Sequence, residues 1–349
     1  MVIYILNIVS ILFYAYLYSL TANKYNLKKF FIIMLSVQLI LILSLRHRSV
    51  GVDVTSYLNF FQNITPSFDF QEFMDHRFEL GYKLVNKMLS IITMNEQIFL
   101  AVMAVLCIIP VGRFVYKHSK MPFLSLGLYI SFNFYAFTFS GLRQGIAYGI
   151  ILISYDFIVK RKLYKFVICV LIASLFHQSA LIFLPAYFLA KIEINKKSAT
   201  LFIIISSILF LLRKPIYDVV IQNIYPRYEI VESNAINWMM LGIIIIILGL
   251  IFYKRVIAVS SQANSIYVFI IIGVSLMMFA TVGTNAMRMA DYYYIFIILF
   301  IPEVLNSFKE KGLLILGGYV TLISILVLNL WFLMYSDTYQ IVPYMIFGE

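Results

Sequence analysis

Long apolar runs separated by short basic clusters dominate the 349-residue chain. A helix that crosses the hydrocarbon core of a membrane needs about 20 predominantly apolar residues. The apolar segments lie at about 3–21, 30–45, 95–112, 122–140, 145–159, 166–176, 178–190, 199–212, 235–253, 265–282, 290–306 and 313–334. This pattern predicts an all-α, polytopic integral membrane helix bundle of about 12 passes (10–12), with residues 1–349 forming a single transmembrane domain.

The stretch 166–190 is too short for two full crossings and lies between two basic clusters. As two helical arms it would reach only about 17–20 Å per arm, which is short of the ~30 Å hydrocarbon core. A short broken or re-entrant hairpin with His177 near its tip fits this length. Such backbone is tolerated in a membrane where it is buried in protein or lines a water-filled cavity.

Two polar segments, 46–94 and 213–234, are longer than simple turns. In the first, apolar residues recur at helical spacing, at Phe78, Tyr82, Val85 and Leu89. The intervening positions carry Lys83, Asn86 and Lys87. The spacing predicts an amphipathic helix lying flat on the outer membrane surface.

Composition excludes a soluble enzyme, a disordered chain and a nucleic-acid reader. The chain is 62% hydrophobic and 12% charged, and that charged share is about half the usual value for soluble domains. Its net charge of +11 comes largely from clusters between apolar runs, which the positive-inside rule places in the cytoplasm. With those clusters inside, both termini and both long polar segments lie outside.

This membrane topology places most lysines inside and most arginines outside. The inside positions hold 14 Lys and 3 Arg, whereas seven of the ten outside basic residues are Arg. The outside arginines are Arg46, Arg48, Arg77, Arg143, Arg213, Arg227 and Arg288. Because the positive-inside rule treats both residue types alike, this split indicates a phosphate ligand, which the planar guanidinium binds through two hydrogen bonds. Arginines that snorkel to lipid headgroups are the alternative.

Two short motifs, each at the end of a predicted span, contain an arginine among the candidate functional residues. Residues 45–57 read LRHRSVGVDVTSY, in which Gly51 lets backbone approach a ligand and Asp53 is a base or an arginine partner. An ordinary exposed loop with a local Arg–Asp pair is the alternative. Residues 140–147 read SGLRQGIA, a connection so short that Arg143 lies at membrane depth. An arginine there is costly unless it is paired or faces a wet cavity, so it is a functional candidate.

Three further motifs carry titratable groups. ELGY begins at Glu79, where a carboxylate at a helix start is the ordinary interpretation. ASLFHQSA places His177 between two apolar arms, either as a satisfied core residue or as a cavity-lining one. TNAMRMADYYY places Arg288 beside tyrosines that are typical of an interfacial aromatic belt.

The order of these motifs over roughly residues 40–300 resembles the EpsG family, which is similar to Wzy-type O-antigen and capsular polysaccharide polymerases. The matching residues are Arg46, Gly51, Asp53, Tyr57, Glu79, Gly81, Tyr82, Arg143, Gln144, Ala147, Ala173, Phe176, His177, Ser179, Ala180, Arg288 and Tyr292. Gly-Val-Asp-Val departs from the expected Gly-Thr-Asp-Thr, which removes two hydroxyls. The last two apolar segments and the tail add nothing to the resemblance.

The resemblance implies a bacterial polysaccharide polymerase, a glycosyltransferase of the cytoplasmic (inner) membrane whose active site faces the outside or periplasm. Its donor and acceptor would be undecaprenyl-pyrophosphate-linked glycans, joined into O-antigen, capsule or exopolysaccharide. The lipid bilayer is the other expected partner, a chain-length regulator is left open, and nucleic acid is not expected. No cofactor is implied, and no carboxylate cluster suggests a metal.

Residue roles follow from the departure of pyrophosphate, which builds negative charge that fixed cations stabilise. The expected cations are Arg143 and Arg288, with Arg46 assisting. The attacking sugar hydroxyl loses a proton, for which the candidate bases are Asp53, His177 and, third, Glu79. The remaining contacts to pyrophosphate or glycan are expected from Arg48, Tyr57, Gln144 and Tyr292.

Three other functions fit parts of the pattern. A flippase or transporter of lipid-linked glycans suits twelve spans and outer arginines, but the sequence has no repeat of one half in the other. A polysaccharide acyltransferase would place a histidine towards an acyl donor on the cytoplasmic side, whereas the predicted membrane topology places His177 outside. An O-antigen-ligase-like enzyme would use the same donor with a different acceptor.

Overall fold

The protein folds as a helical membrane protein in a computed structural model that describes residues 2–20, 25–65, 70–224, 235–283, 285–308, 310–335 and 337–348. Its α-helices are α1 (Val2–Leu20), α2 (Tyr25–Ser44), α3 (Val54–Asn59), α4 (Phe70–Asp75), α5 (Leu80–Ile92), α6 (Glu96–His118), α7 (Pro122–Ser131), α8 (Phe134–Ser140), α9 (Leu142–Val159), α10 (Leu163–Ser174), α11 (Ala186–Leu189), α12 (Lys196–Leu211), α13 (Arg213–Ile224), α14 (Ile236–Val259), α15 (Ala263–Ala280), α16 (Asn285–Tyr294), α17 (Ile297–Asn306) and α18 (Lys311–Tyr335). A π-helix (Phe60–Ile64) and a 3₁₀-helix (Gln178–Phe183) complete the described elements.

All twelve predicted apolar segments contain helix, but not all are long enough to cross a membrane. Among the described residues, seven helical segments meet the length and hydropathy of a span, and the number rises to nine if two bent pairs each count as one. The bent pairs are α7 with α8, at 51°, and α12 with α13, at 66°. Three shorter apolar helices remain. The chain is therefore a multi-pass membrane protein, while the count of twelve passes is not confirmed.

The stretch 166–190 is interrupted close to its predicted tip. Helix α10 ends at Ser174, and a 3₁₀-helix begins at Gln178. The amide of His177 donates to the Ala173 carbonyl at 3.0 Å, and the Ala180 amide donates to the His177 carbonyl at 3.0 Å. His177 therefore lies at a hydrogen-bonded break between two short helices, as the length of the stretch predicts.

The described residues divide into two compact units, and the first contains most of the candidate site. It comprises Met1–Phe157, Tyr164–Leu181 and Ile315–Glu349. Within it, the break between α7 and α8 falls at Asn133, which has a φ of +62°. The side-chain amide of Asn329 donates to the Asn133 side-chain oxygen at 2.9 Å. This bond supplies a polar partner where the helix is interrupted, which a membrane environment requires.

Helix α5 lies where the amphipathic helix is predicted, but its faces differ from the prediction. Lys83 and Asn86 are buried, and their side chains donate to backbone carbonyls at 2.7 and 2.8 Å. The exposed face is apolar and consists of Leu80, Leu84, Met88, Ile91 and Ile92. The assignment of Lys83 and Asn86 to a solvated face was therefore wrong, because both side chains are buried and each donates to a backbone carbonyl of the protein. The placement of α5 on the outer membrane surface stays a prediction.

The C-terminal tail closes over the loop that follows α2. Arg46 and Ile346 form an isolated antiparallel bridge, and the His47 amide donates to the Met345 carbonyl at 2.8 Å. The Gly51 amide donates to the Gln340 carbonyl at 3.0 Å. The tail therefore fixes the loop that carries Asp53, which the sequence pattern does not reveal.

The second unit comprises Ile158–Leu163 and Ile182–Leu314. Helix α15 packs against α14, α16 and α17. An aromatic cluster joins the start of the unit to its later helices: the Phe183 and Phe296 rings stack at 5.8 Å, and the Tyr293 hydroxyl donates to the Ile182 carbonyl at 2.8 Å. These contacts fix α16, on which Arg288 and Tyr292 lie. Of the second polar segment, α13 is helical, and 225–234, with Arg227, lies outside the described residues.

A carboxylate gathers basic residues at one end of the first unit. Asp156, near the end of α9, pairs with Lys117, with His118 at 2.7 Å and with Arg113 at 3.6 Å. Arg143 lies at the opposite end of α9, thirteen residues away, which is about 20 Å of helix. The basic cluster and Arg143 therefore lie at opposite ends of one predicted span.

Cysteine labelling can test on which side of the membrane Asn63 and Lys196 lie. Because the positive-inside rule places the basic clusters in the cytoplasm, we expect Asn63→Cys to react with an impermeant thiol reagent in intact cells. Lys196→Cys, at the start of α12, should react only after the cells are permeabilised. The opposite labelling pattern would invert the orientation and contradict an outer-face site.

Candidate functional site

An ion pair between Arg143 and Glu79 forms the centre of the candidate site. Arg143 lies in the first turn of α9, and its Nη1 donates to Glu79 Oε2. Both side chains are mostly buried, with exposed fractions of 15% and 20%. The other carboxylate oxygen of Glu79 accepts a bond from the Gln178 amide at 3.3 Å. Glu79 therefore connects the arginine of one motif to the turn that carries His177.

Aromatic rings cover the Arg143 guanidinium. Its Cζ lies 4.5 Å from the centroid of the Phe78 ring and 5.9 Å from that of Tyr57. The Tyr57 ring packs against both Phe78 and Tyr82, with centroid distances of 5.5 Å in each case. Cation–π contacts of this kind stabilise a partly desolvated cation and fix its orientation. The guanidinium is consequently held in place before any ligand arrives.

Glycine at position 81 allows α5 to dock on the His177 turn. The Gly81 amide donates to the Leu175 carbonyl at 2.8 Å. A Cβ atom added to Gly81 would lie 2.8 Å from that same carbonyl oxygen, so a larger residue would force the two segments apart. The ELGY motif thus combines an arginine partner, Glu79, with a close backbone contact two residues later.

His177 is partly exposed and is oriented by its neighbour. Its Nδ1 lies 2.5 Å from the Ser179 hydroxyl oxygen. Ser179 itself is buried, whereas Gln178 is exposed. A hydrogen bond at Nδ1 fixes the orientation of the imidazole ring.

Asp53 lies in a loop whose backbone is tightly constrained. Gly51 has a φ of +110°, and a Cβ there would lie 2.3 Å from the Phe139 carbonyl oxygen. The Val52 amide donates to the Ser140 hydroxyl at 3.0 Å. Asp53 is partly exposed and precedes α3, where its carbonyl accepts from the Tyr57 amide at 3.1 Å. The Asp53 carboxylate is therefore accessible and lies one helical turn before Tyr57.

Arg46 is fully buried. Its Nη1 donates to the Phe139 carbonyl at 2.7 Å, and its Cζ lies 4.9 Å from the Phe139 ring centroid. Nε and Nη2 have no hydrogen-bond partner among the described residues. Burial lowers the pKa of Arg46 to about 10, so the group stays charged at neutral pH. The structure thus places Arg46 in the interior, where it ties the Asp53 loop to α8.

Of the other predicted site residues, Arg48 and Gln144 lie in the first unit, whereas Arg288 and Tyr292 lie in the second. Arg48 is partly exposed and pairs with Glu96 at 3.2 Å. Gln144 is buried, and its side-chain nitrogen donates to the Tyr148 hydroxyl at 2.8 Å. Arg288, partly buried, and Tyr292, fully buried, lie on α16 of the second unit. Among the predicted site residues, the structure brings Tyr57, Glu79, Arg143 and the His177 turn together within the first unit.

Sequence reasoning missed His76 and Phe78, which lie immediately before Glu79. The His76 ring packs between Phe60 and Phe78, with centroid distances of 4.5 and 4.4 Å. Burial lowers the pKa of His76 to about 4, assisted by the positive charges of Arg77, Lys83 and Arg143. The adjacent His-Arg-Phe triplet, directly before ELGY, is the signal that could have extended the motif.

Comparison with known proteins identifies the family of the chain. The chain matches the model of the EpsG family over residues 29–346. No curated protein and no solved structure matches it. The matched range extends beyond residues 40–300 and includes the last two apolar segments and most of the tail, which bonds to the Arg46–Gly51 loop. Since the match covers nearly the whole sequence, the chain belongs to the EpsG family.

Proposed function

We propose that this multi-pass membrane protein polymerises polysaccharide by glycosyl transfer between lipid-linked repeat units on the outer face of the bacterial cytoplasmic membrane. Membership of the EpsG family fits a polysaccharide polymerase in general. The observation that carries the finer proposal is the Arg143–Glu79 pair with its aromatic cover. It supplies a fixed cation, a carboxylate and a turn bearing His177 within a few ångströms of one another.

A phosphate oxygen resembles the carboxylate oxygen that Arg143 binds in its recognition by arginine. Both are anionic acceptors that match the guanidinium fork. A pyrophosphate that reaches the site would compete with Glu79 for Arg143, and Glu79 would then become available to the acceptor sugar. We propose that Arg143 stabilises the departing pyrophosphate, a role that electrostatic preorganisation makes effective.

The surroundings of His76 support a positive potential beside Glu79. The pKa of His76 is lowered to about 4 by burial and by three neighbouring cations. A neutral imidazole at physiological pH avoids adding a further charge, while Arg77, Lys83 and Arg143 keep the region cationic. An anionic substrate such as undecaprenyl pyrophosphate would be attracted by that potential.

The proposed reaction forms one bond and breaks one. The oxygen of an acceptor hydroxyl bonds to the anomeric carbon of the donor, and the bond from that carbon to pyrophosphate breaks. The acceptor proton passes to a base, for which Asp53 and His177 are the leading candidates and Glu79 the third. Asp53 is accessible, and His177 has its Nδ1 oriented by Ser179, so each can accept a proton at a fixed position.

The other predicted residues hold the Asp53 loop or contact the substrate in this proposal. Arg46 acts by holding the Asp53 loop against the Phe139 carbonyl. Arg48, Tyr57 and Gln144 would contact glycan or pyrophosphate from the first unit. Arg288 and Tyr292 would contribute from α16 of the second unit. No step in the proposed reaction calls for a cofactor.

Replacement of Arg143 by lysine separates phosphate binding from simple membrane anchoring. Lysine keeps the charge but loses the planar fork. One charge-assisted hydrogen bond contributes about 1.5–3 kcal/mol, or roughly 10- to 150-fold in rate if it acts only in the transition state. We expect Arg143→Lys to form polymer at least about tenfold more slowly in a purified assay with lipid-linked repeat units.

Arg255→Lys, on an exposed residue near the end of α14, is the matched control and should retain the wild-type rate. Both variants should reach the normal level in the membrane. A wild-type rate for Arg143→Lys would show that a positive charge alone is sufficient and would contradict the pyrophosphate role.

The two leading bases can be distinguished by removing one at a time. If Asp53 takes the proton, Asp53→Asn should abolish the polymer ladder while single lipid-linked units accumulate. If His177 does so, His177→Gln should have that effect instead. Gel analysis of the glycans gives the answer, and a full ladder from both variants would exclude both residues as the base.

The lowered pKa of His76 predicts a specific pH dependence of stability. The folded protein binds the His76 proton only near pH 4, whereas an unfolded histidine binds it near pH 6.5. The unfolded state therefore gains protons first, and stability is complete above about pH 6.5 and falls as the pH drops towards 4. We expect His76→Phe to flatten this part of the Tm profile measured in detergent.

His47→Gln is the control because His47 lies in an exposed contact with Ser49. It should retain the wild-type dependence of Tm on pH between 4 and 6.5. If His76→Phe and the wild type lose stability in parallel over that interval, His76 is not neutral in the folded protein.

A further inference from the structure

Arg77 differs from the other cations of the 46–94 segment in its partners. The others are held by the Phe139 carbonyl for Arg46, Glu96 for Arg48, the Met74 carbonyl for Lys83 and the Thr65 carbonyl for Lys87. Arg77 is exposed, and its Nη2 donates at 3.0 Å to the Ser56 hydroxyl, a neutral acceptor. Among the described residues, the ion pairs do not include Arg77, so its charge has no carboxylate partner there.

Two contacts fix the Arg77 guanidinium without occupying its fork. Its Cζ lies 5.5 Å from the centroid of the Phe78 ring, and its Nη2 reaches Ser56 in α3. A guanidinium carries five N–H donors in one plane, and the bond to Ser56 uses one of them. An arginine that is already oriented loses little freedom when it binds an anion. Arg77 is therefore a fixed cation with donors available to a ligand.

Arg77 lies close to the residues proposed for the reaction. The same Phe78 ring packs against Arg143, whose Cζ lies 4.5 Å from its centroid. Both distances are measured from one centroid, so the two Cζ atoms lie no more than 10.0 Å apart, the sum of 5.5 and 4.5 Å. Ser56 follows Asp53 by three residues, about one helical turn. A group bound at Arg77 would therefore belong to the substrate that Arg143 and Asp53 contact.

The exposure of Arg77 indicates which part of that substrate it contacts. An arginine exposed to hydrocarbon is costly, so its exposed side faces water or lipid headgroups. The glycan of a lipid-linked repeat unit extends into the water, whereas its polyprenyl chain stays in the membrane. A neutral sugar would leave the charge of Arg77 without a partner, whereas a carboxylate matches the guanidinium fork. An acidic sugar thus fits this position better than a neutral one.

We propose that Arg77 binds the carboxylate of an acidic sugar, such as a uronic acid, in the repeat unit, and so selects anionic glycans. The proposal deepens the proposed function and rests on it for the lipid-linked repeat unit as substrate. Arg77 is a specificity residue in this proposal and takes no part in proton transfer. Pyrophosphate is the other source of an anionic oxygen near Arg143, and the experiments below separate the two.

The first experiment identifies the polysaccharide that depends on this protein. Deletion of the gene should remove one polysaccharide from the cells, and sugar analysis of that material from wild-type cells should find an acidic sugar. Loss of a neutral polysaccharide would support the polymerase and overturn the role of Arg77. If no polysaccharide is lost, the polymerase is contradicted and this inference is overturned with it.

The second experiment measures binding of oligosaccharides cut from that polysaccharide, which carry no pyrophosphate. Chemical reduction of their carboxylates to alcohols gives a neutral form of the same length. The purified full-length protein in detergent should bind the acidic form at least about tenfold more tightly than the reduced form, because charge-assisted hydrogen bonds are lost on reduction. Arg77→Gln should remove this difference and leave the affinity for the reduced form unchanged.

Arg213→Gln is the matched control and should bind both forms as the wild type does. The Arg213 guanidinium also lies over a phenylalanine ring, 4.0 Å from the Phe210 centroid, but belongs to the second unit. Equal affinity of the wild type for the two forms would overturn the proposal. So would an Arg77→Gln variant that polymerises slowly but binds the acidic form normally, since Arg77 would then bind pyrophosphate. If the Tm of Arg77→Gln shows misfolding, Arg77→Lys replaces it under the same criteria.

Discussion

The ion pair between Arg143 and Glu79 is the interaction on which the candidate site depends, because it gives an anionic partner to a mostly buried guanidinium at the start of a predicted span. An unpaired buried charge costs several kcal/mol, so the position of Arg143 dictates where α5 must begin. The same carboxylate accepts the Gln178 amide, so one ion pair joins three distant segments. The Phe78 ring packs against the same guanidinium, with its centroid 4.5 Å from Arg143 Cζ.

The second constraint is the burial of Arg46. Its guanidinium is held by the Phe139 carbonyl and ring, and the C-terminal tail closes over the preceding backbone. Gly51 then adopts a positive φ directly against the same carbonyl. The loop that carries Asp53 therefore has little freedom, although Asp53 itself stays accessible. A rigid backbone with an accessible carboxylate is what a fixed proton acceptor requires.

The apolar pattern predicted the positions of the helices well, because period and length depend on local sequence. It also predicted the break near His177, since two arms of that length cannot each cross a bilayer. It failed at Lys83 and Asn86, because their side chains donate to the backbone carbonyls of Met74 in α4 and of Tyr82 in α5 rather than to solvent. The tail was missed for the same reason, because its bonds to the Arg46 loop join residues about three hundred positions apart.

Short sequence motifs predicted several site residues, but not which of them contact one another. Tyr57, Glu79, Arg143 and His177 were each identified from short motifs, and the structure brings Tyr57, Glu79 and Arg143 together beside the turn that carries His177. That Glu79 is the partner of Arg143 could not be predicted, because the sequence also offered Asp53 as an arginine partner. His76 carried no periodic signal, and its lowered pKa depends first on burial and then on nearby cations, of which the fold brings Lys83 and Arg143 close to it.

The C-terminal tail that pairs with the backbone at Arg46 is synthesised long after that residue. Ribosomes add about 5–20 residues per second, so the tail emerges some tens of seconds after the arginine that it covers. Glu79 must likewise wait for Arg143 and then for Gln178. During that interval the loop lies beside an incomplete bundle, and its charged groups depend on water or lipid headgroups. The loop that carries Asp53 is thus completed only when the tail has been made, and a nascent chain released before then would contain this motif without the contacts that fix it.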